Sequence, residues 1–296
     1  MNIIHSRGDS GTVATDLNAT LLPDGPVKVE RDSIPVLLNA CRNSGLGLIY
    51  VTGNALPVAL ELFQQYNLPL PEYFIGNVGT SIFRRNDSQL QLQPYDEDTD
   101  FADQVADSTP GWSIEKFRRA LQSLDGLMEQ EDWRNNALKL SYYTAAHELA
   151  ELGSAVKTRL EQFCSDFSVV ISTHGDAETG HQKGYLDILP TRATKAGALR
   201  FLMEKLGITG EEVVFSGDSG NDLDCLSAEW RSTLVRNASP EVRAALAKLK
   251  NGEGPSRIHY AEGLGNLNGY YSEGIIEGLI VHGFLGEGFA QLTSHS

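Results

Sequence analysis

Both ends of the chain alternate short apolar runs with stretches in which apolar residues recur at helical spacing. The apolar runs predict buried strands that end near Asp16, Val51 and Ser216. The helical spacing predicts helices over residues 30–43, 56–66, 194–206, 222–229, 240–250 and 274–285. Because strands that alternate with helices usually pair in parallel, these segments predict an α/β fold with a Rossmann-like parallel-sheet core.

The middle of the chain has a different pattern. Residues 112–128 and 145–163 have helical spacing, whereas 138–143, 168–172 and 185–190 are predicted to be strands. Helices and strands no longer alternate regularly here. This section is therefore predicted to be a smaller α+β unit of its own.

The two patterns divide the chain into domains. We predict a core domain formed by residues 1–107 and 191–296, with a smaller α+β cap domain inserted as residues 108–190. Residues 94–109 contain many Asp and Glu and few large apolar side chains, so they are predicted to be a linker. Residues 251–271 are rich in Gly, Asn and Tyr and are predicted to be a long surface loop.

Composition and charge restrict the classes of partner. The 296 residues carry a net charge of −15, which disfavours nucleic acid and anionic membrane surfaces. No apolar run reaches about 18 residues and the start lacks a secretory signal, so neither a membrane span nor secretion is expected. The three widely spaced cysteines are predicted to be free thiols in a cytoplasmic protein. We expect a monomer or small homo-oligomer that acts on a small molecule.

The stretch Gly217–Asp222, with the sequence GDSGND, follows the predicted strand Val213–Ser216. In an open α/β sheet, ligands bind in the crevice at the carboxyl ends of the strands, where this turn would place Asp218 and Asp222. Two carboxylates suit Mg²⁺, which prefers oxygen ligands and is usually held by one or two carboxylates together with substrate phosphate. The alternative is a solvated acidic turn, and the turn alone leaves both interpretations open.

Three further positions follow predicted strands or begin a helix: Asp16, the Thr52–Gly53 pair and Lys195. Gly53 allows a ligand to approach the backbone closely, and the helix after it offers free N–H groups to an anion. Taken singly, Asp16 and Thr52 could be capping residues, and Lys195 a solvated charge. Together with the acidic turn they supply an oxygen nucleophile, a metal site and donors for phosphoryl oxygens, as phosphoryl transfer requires.

The order of these motifs resembles that of the haloacid dehalogenase-like phosphatases. That family carries an Asp-x-Asp-x-Thr loop, a Ser or Thr after the second strand, a Lys and a Gly-Asp-x-x-x-Asp turn. The matching segments here are Asp16–Thr20, Thr52, Lys195 and Gly217–Asp222. The inserted unit resembles the α/β cap of the subclass that acts on small sugar phosphates. Sucrose-phosphate phosphatases are most similar at the runs Lys139–Tyr142, Leu186–Pro190 and Val235–Ala238. The related mannosylfructose-phosphate phosphatases are similar too, notably at Pro69–Tyr73 and Gly76–Gly79.

The resemblance implies a role for each matched residue. Asp16 would attack phosphorus and form an aspartyl-phosphate. Mg²⁺ would be held by Asp16, by the backbone carbonyl of Asn18 and by Asp218, while Asp222 would reach the metal through water. The residues implied to bind the phosphoryl oxygens are Thr52, Gly53 and Lys195.

The resemblance also assigns sugar recognition to the inserted domain. Lys139, Ser141 and Asp187 are the main candidates for contacts with the sugar, and Asn136 is a further one. Lys139 and Ser141 lie two residues apart on a predicted strand, so they share one face. That face could equally be a solvated surface, and this alternative stays open.

Asn18 departs from the family pattern, because these phosphatases carry a second Asp at that position. The Asp protonates the leaving oxygen and later activates water, and an amide can do neither. General acid–base catalysis is typically worth ~10²–10⁴-fold in rate. Three explanations stay open: an engineered variant that retains substrate, a natural phosphatase that is slow or uses another proton route, and a protein that binds without catalysis. Asn54 is a second departure, since relatives often carry Arg there.

The sequence therefore predicts Mg²⁺-dependent hydrolysis of a sugar phosphate, most simply sucrose 6-phosphate, through an aspartyl-phosphate on Asp16. The alternatives are a phosphatase for another glycosyl phosphate such as mannosylfructose phosphate, a phosphotransferase that passes the group to a sugar hydroxyl, and a catalytically silent sugar-phosphate binding protein. Changing Asn18 to Asp tests the last alternative, because a silent binder gains no activity from the new carboxylate.

Overall fold

The computed structural model describes residues 3–89, 93–175, 182–249 and 257–291 of the chain. By their internal contacts the residues divide into two units. The larger unit consists of Met1–Glu97 and Lys195–Ser296, and the smaller unit of Asp98–Thr194. In the part of the chain that the structure describes, no helix combines the length and apolar character needed to cross a membrane.

Strands and helices are numbered here along the chain. The strands are β1 (Ile3–Ile4), β2 (Thr12–Thr15), β3 (Gly47–Val51), β4 (Leu70–Pro71), β5 (Tyr73–Gly76), β6 (Ser81–Arg85), β7 (Tyr95–Asp98), β8 (Met128–Glu129), β9 (Leu140–Ala145), β10 (Phe167–Gly175), β11 (Gln182–Pro190), β12 (Val213–Gly217), β13 (Arg231–Leu234) and β14 (Ile258–Tyr260). The helices are α1 (Ile34–Asn43), α2 (Leu56–Gln65), α3 (Asp100–Asp107), α4 (Ile114–Leu121), α5 (Leu149–Leu160), α6 (Lys195–Leu206), α7 (Leu223–Leu226), α8 (Pro240–Leu249) and α9 (Tyr271–Val281).

The larger unit is built on an eight-stranded sheet with the strand order β14-β13-β12-β2-β3-β5-β6-β7. Neighbouring strands from β14 to β5 are parallel, and β6 runs antiparallel to β5. Strands β2, β3 and β12 are buried along their whole length, as expected for parallel strands covered on both faces. Because β2 lies between β3 and β12, three predicted strand ends meet at the middle of one sheet edge.

Helix α9 packs against β12 and β13 and is buried along most of its length. Gly278 permits this close approach, because a Cβ there would lie 1.9 Å from the Thr233 hydroxyl oxygen. The two buried carboxylates of the helix are both paired. Glu273 accepts hydrogen bonds from Arg31 at 2.6 Å, and Glu277 accepts them from the backbone N–H groups of residues 262 and 263. These bonds attach two surface segments to α9.

The smaller unit contains a four-stranded antiparallel sheet with the order β10-β11-β9-β8. One face of the sheet packs on α4 and α5 through a core that includes Phe117, Val156 and Leu186. Because successive side chains of a strand point to opposite faces, Ser141 and its cross-strand partner Asp187 lie on the face away from that core. This unit begins before and ends after the predicted insert of 108–190.

The prediction that residues 94–109 form a linker is wrong. They contain strand β7 and helix α3, and α3 buries Phe101, Ala102 and Val105. Its acidic residues lie on the solvent side, and Asp100 and Asp103 stand in the first turn, where a negative charge stabilises the helix dipole. The acidic composition therefore suggested a linker where the chain forms a short amphipathic helix.

The prediction of a loop over 251–271 is also wrong in part. Residues 251–256 lie outside the described residues, but Ile258–Tyr260 forms β14, which pairs in parallel with β13. A strand of three residues surrounded by Gly and Asn gives too short an apolar pattern to be recognised. Residues that follow β14 are attached to α9 through Glu277 and Glu273.

Candidate active site

Asp16 directly follows β2, at the centre of the sheet edge where the parallel strands end. Its backbone N–H donates to the carbonyl of Ser216 on β12 at 2.9 Å, which continues the β2–β12 pairing up to the carboxylate. The Asp16 residue is only 5% exposed. The sheet therefore places a nearly buried carboxylate at the position where ligands of open α/β sheets bind.

The acidic turn after β12 is a short 3-10 helix, Gly220–Asp222, and Asp222 holds it together. One carboxylate oxygen of Asp222 accepts hydrogen bonds from the backbone N–H groups of Asp218 and Ser219 at 3.2 and 3.1 Å, and from the Ser219 hydroxyl at 3.0 Å. Gly217 is required here because a Cβ would lie 2.7 Å from the Cβ of Asp222. The turn is thus shaped by the second Asp of the motif.

Lys195, the first residue of α6, joins two of the carboxylates. Its Nζ lies 2.8 Å from Oδ1 of Asp16 and 2.7 Å from Oδ1 of Asp222, and it also donates to Oδ1 of Asn221 at 3.3 Å. The lysine is 1% exposed, so this is a buried ion pair. The arrangement excludes the alternative that Lys195 is a solvated surface charge.

Burial and like charge perturb this group of acids. Burial raises the pKa of Asp16 to about 7, with the Asp222 charge acting in the same direction and Lys195 opposing it. Burial and the Asp222 charge also raise the pKa of Asp218 to about 6, although a hydrogen bond from Thr20 opposes this. Burial alone would lower the pKa of Lys195, but the two carboxylates raise it above its ordinary value.

The three carboxylates of Asp16, Asp218 and Asp222 each offer an oxygen within 4.8 Å of the others. Among the described residues one ammonium group, that of Lys195, pairs with these carboxylates, so the fully ionised group of side chains keeps two unbalanced negative charges. Carboxylate oxygens are the ligands that Mg²⁺ prefers, and a divalent cation would balance the two remaining negative charges. Both oxygens of Asp222 accept hydrogen bonds, which fits contact with a metal through water. Lys195 donates to one oxygen of Asp16, and Thr20 donates to one oxygen of Asp218. The second oxygen of each of these two carboxylates can therefore bind a metal.

Thr52 and Gly53 lie at the end of the neighbouring strand β3. Thr52 is buried and its hydroxyl oxygen accepts from the backbone N–H and side-chain amide of Asn54 at 3.1 and 2.9 Å, which leaves the hydroxyl hydrogen to donate. A Cβ at Gly53 would lie 3.8 Å from Nδ2 of Asn221, so the two strand ends face each other. Asn221, which sequence reasoning passed over, stands inside the acidic motif and contacts Lys195.

Asn18 is exposed and lies in a line of hydrogen-bonded side chains. The amide of Asn54 donates to its Oδ1 at 2.6 Å, and its own Nδ2 donates to Oδ2 of Asp24 at 2.6 Å. The other oxygen of Asp24 accepts from the backbone N–H of Ala19 at 2.6 Å. Sequence reasoning missed Asp24, because it belongs to none of the motifs and stands in an ordinary polar turn.

The structure brings three of the four predicted sugar-binding residues together in the smaller unit. The hydroxyl of Ser141 donates to Oδ1 of Asp187 at 2.5 Å, and Nζ of Lys139 lies 3.7 Å from the same oxygen. The fourth, Asn136, pairs with the backbone of Lys139, and its side-chain oxygen accepts from the N–H of Leu138 at 2.8 Å. Asn136 therefore shapes the turn that presents Lys139.

Several of the families and proteins to which this chain is similar are named as hydrolases or phosphatases. A family model described as sucrose-6F-phosphate phosphohydrolase matches residues 10–283. A protein named as a HAD-like hydrolase from Nitrosococcus oceani is 34% identical over 269 residues, 90% of this chain and 70% of that protein. Mannosylfructose-phosphate phosphatase from Agrobacterium fabrum is 29% identical over 232 residues, 78% of this chain and 84% of that protein. The structure of the sucrose-phosphatase from Synechocystis sp. PCC6803 in complex with sucrose and phosphate is similar in fold, with a TM-score of 0.67 at 22% identity over 93% of this chain and 98% of that chain.

Proposed function

The chain belongs to the sucrose-6F-phosphate phosphohydrolase family of phosphoric monoester hydrolases, and we propose that it hydrolyses sucrose 6-phosphate in an Mg²⁺-dependent reaction. The observation that carries this proposal is the group formed by the buried Asp16, Asp222 and Lys195 together with the half-buried Asp218. A carboxylate nucleophile with charge-neutralising partners at a sheet edge is suited to phosphoryl transfer.

The first step uses Asp16 as nucleophile. A carboxylate oxygen of Asp16 forms a bond to phosphorus, and the bond from phosphorus to the sugar oxygen breaks with its electron pair on that oxygen. The sugar oxygen takes a proton from water and leaves as a hydroxyl group, so that an aspartyl-phosphate remains on Asp16. Lys195, the Thr52 hydroxyl and the Gly53 backbone bind the phosphoryl oxygens. Asp16, Asp218 and the backbone carbonyl of Asn18, with Asp222 beside them, would hold Mg²⁺, and the bound cation would neutralise negative charge on the transferring group.

Sugar recognition is proposed to fall to the smaller unit. Asp187 and Ser141 offer an acceptor and a hydroxyl on one face of the sheet, and Lys139 adds a cationic donor beside them. Hydroxyl-rich ligands need such a mixed set of donors and acceptors. Asp187 and Ser141 are held beside each other, because they are paired across adjacent strands.

A second candidate substrate is mannosylfructose phosphate, because the relative from Agrobacterium fabrum that bears its name covers 78% of this chain. A silent sugar-phosphate binding protein is the other candidate, and the observation that favours it is the amide of Asn18. Both alternatives keep the same phosphate site and differ from the main proposal in substrate or in turnover.

The test is phosphate release from sucrose 6-phosphate and from mannosylfructose phosphate, each with Mg²⁺ and with EDTA. The proposal expects Mg²⁺-dependent release that is faster from sucrose 6-phosphate, and none from Asp16→Asn. Faster release from mannosylfructose phosphate would replace the substrate. Tight binding of both esters without release would establish a binding protein.

A further inference from the structure

The run Val235–Ala238 follows β13, and the proposed reaction gives it no role. Within this run the side chain of Asn237 joins two segments that lie far apart in the sequence. Its Nδ2 donates to the backbone carbonyl of Ala19 at 2.6 Å, and its Oδ1 accepts from the backbone N–H of Tyr271 at 3.2 Å. Because a donor and an acceptor are both in use, the orientation of the amide is fixed, and an apolar side chain of similar size cannot replace it.

Tyr271 holds the other end of this amide in place. It is the first residue of α9 and is fully buried. Its phenolic hydroxyl accepts from the backbone N–H of Val27 at 3.0 Å and donates to the Val27 carbonyl at 2.7 Å. The loop that follows β2 is therefore attached to the start of α9 at two points, through Asn237 at Ala19 and directly at Val27.

The carbonyl that Asn237 binds lies in the segment that carries or supports two proposed metal ligands. Ala19 follows Asn18, whose backbone carbonyl is a proposed ligand of Mg²⁺. Ala19 also precedes Thr20, a buried residue whose hydroxyl donates to Oδ1 of Asp218 at 3.0 Å. A change in the backbone at Ala19 therefore moves the Asn18 carbonyl, the Thr20 hydroxyl or both.

The backbone of Ala19 adopts a conformation that needs support. Its φ is +55°, in the left-handed region that is unfavourable for a residue with a Cβ. Relaxation to the right-handed region requires rotation about the bond between N and Cα of Ala19. Since the peptide group is planar, this rotation turns the Asn18 carbonyl relative to the residues that follow.

Two hydrogen bonds oppose this rotation. Asp24 accepts from the Ala19 N–H, and Asn237 donates to the Ala19 carbonyl, both at 2.6 Å. Asp24 belongs to the same loop and can move with it. Asn237 lies outside the loop and is attached to α9 through Tyr271. The bond from Asn237 is therefore the one that fixes the loop to the rest of the larger unit at this point.

We propose that Asn237 is a positioning residue for Mg²⁺: it fixes the backbone at Ala19, and thereby the Asn18 carbonyl and the contact between Thr20 and Asp218. The inference rests on the proposed function, because that function supplies the metal and its ligands. Residues that orient metal ligands without binding the metal are typically worth ~10–100-fold in metal affinity. Asn237 thus sets the Mg²⁺ concentration that the reaction requires and takes no part in bond making at phosphorus.

The first test measures Mg²⁺ affinity by calorimetric titration of the metal-free protein, without substrate. Asn237→Ala is expected to raise the Kd for Mg²⁺ by about 10-fold or more, because the Ala19 carbonyl loses its donor. Asn237→Ser is expected to shift the Kd in the same direction and takes its place if the alanine variant does not fold. Asn43→Ala, a change from Asn to Ala at the exposed end of α1, leaves the Kd unchanged.

Turnover of p-nitrophenyl phosphate separates positioning from a general loss of structure. The Mg²⁺ concentration that gives half of the maximal rate should rise with the Kd. The kcat at saturating Mg²⁺ should approach that of the unchanged protein, because excess cation restores the occupied site by mass action. A lower urea midpoint in EDTA without a change in the Kd for Mg²⁺ would show a purely structural residue and overturn the inference.

A second substitution tests whether the effect of Asn237 passes through Ala19. Glycine adopts a left-handed φ without the cost of a Cβ, so Ala19→Gly should recover about fivefold of the lost affinity in the Asn237→Ala background. In the unchanged background, where Asn237 already holds the peptide, the same substitution should change the Kd by less. An equal effect in both backgrounds, no recovery, or an unaltered Kd in Asn237→Ala overturns the inference.

Failure of the proposed function gives a different result. If the Kd values for Mg²⁺ follow the expected order but no phosphate is released from sucrose 6-phosphate, the substrate is rejected and the inference is supported. Absence of Mg²⁺ binding by the unchanged protein overturns the inference. Phosphate release from sucrose 6-phosphate in EDTA would then keep the substrate and remove the metal from the proposed function.

Discussion

Replacing Asp16 by Asn is expected to make the metal-free protein increasingly more stable than the unchanged protein as pH rises from 3.8 towards 7. Burial raises the pKa of Asp16 from 3.8 to about 7. Between these values the unfolded chain has lost the proton while the folded chain retains it. Folded protein therefore loses stability with rising pH in this window, and an amide that never ionises does not.

The magnitude follows from the two pKa values. A rise from 3.8 to about 7 corresponds to about 4 kcal/mol of stability that is present below 3.8 and lost above 7. The corresponding rise for Asp218, from 3.8 to about 6, gives about 3 kcal/mol. Bound Mg²⁺ removes the effect, because the cation compensates the carboxylates and favours their ionised form.

The assay is urea denaturation of the unchanged protein, Asp16→Asn and Asp9→Asn at several pH values between 5 and 8, with EDTA and with Mg²⁺. The stability difference between Asp16→Asn and the unchanged protein should grow with pH in EDTA and not in Mg²⁺. Asp9→Asn controls for the loss of one charge at an exposed site. A stability difference that stays constant across this pH range in EDTA would refute the argument that burial destabilises the ionised carboxylate of Asp16.

Three other predictions follow from the same contacts. Lys195→Met should destabilise the metal-free protein at pH 8 by about 3–5 kcal/mol in urea denaturation, because two buried carboxylates lose their shared partner; an unchanged midpoint contradicts this. Asn18→Asp should raise kcat for sucrose 6-phosphate more than kcat for p-nitrophenyl phosphate, because only the sugar oxygen needs a proton on leaving; equal changes contradict it. Asp187→Asn should raise KM for sucrose 6-phosphate about 10-fold and leave KM for p-nitrophenyl phosphate unchanged, because Asp187, in contact with Ser141 and Lys139, is proposed to bind the sugar; a fall in kcat for both substrates contradicts this.

The α/β class and the family could be predicted because three of the four motifs, all but Lys195, follow a continuous apolar run. Asp16 follows β2 and Asp218 follows β12, and a buried parallel strand of this kind is readily recognised. Asp16 and Asp222 both meet Lys195, but this contact could not be predicted from spacing. It depends on how the first turn of α6 approaches two strand ends that lie far away in the sequence.

Other features could not be predicted from the sequence, because they depend on tertiary structure and local composition does not indicate them. The acidic face of helix α3 made this segment resemble a linker, and β14 has only three residues, which is too short a pattern to recognise. Asp24 stands in a polar turn of ordinary composition, and only the fold brings it to Asn18. The catalytic, phosphate-binding and sugar-binding roles of the individual residues stay predictions, for which the variants above are the tests.

The position of β2 has a consequence for synthesis on the ribosome. One of its two neighbours, β3, follows soon after it, but the other is formed by residues 213–217. A nascent chain that has not reached β12 carries β2 as an apolar strand with an open edge, which invites association with other chains. Chaperone binding and aggregation of ribosome-bound fragments should therefore decline sharply once β12 has emerged. Asp16, the proposed nucleophile, is encoded near the beginning of the chain but is among the last residues to reach its final surroundings.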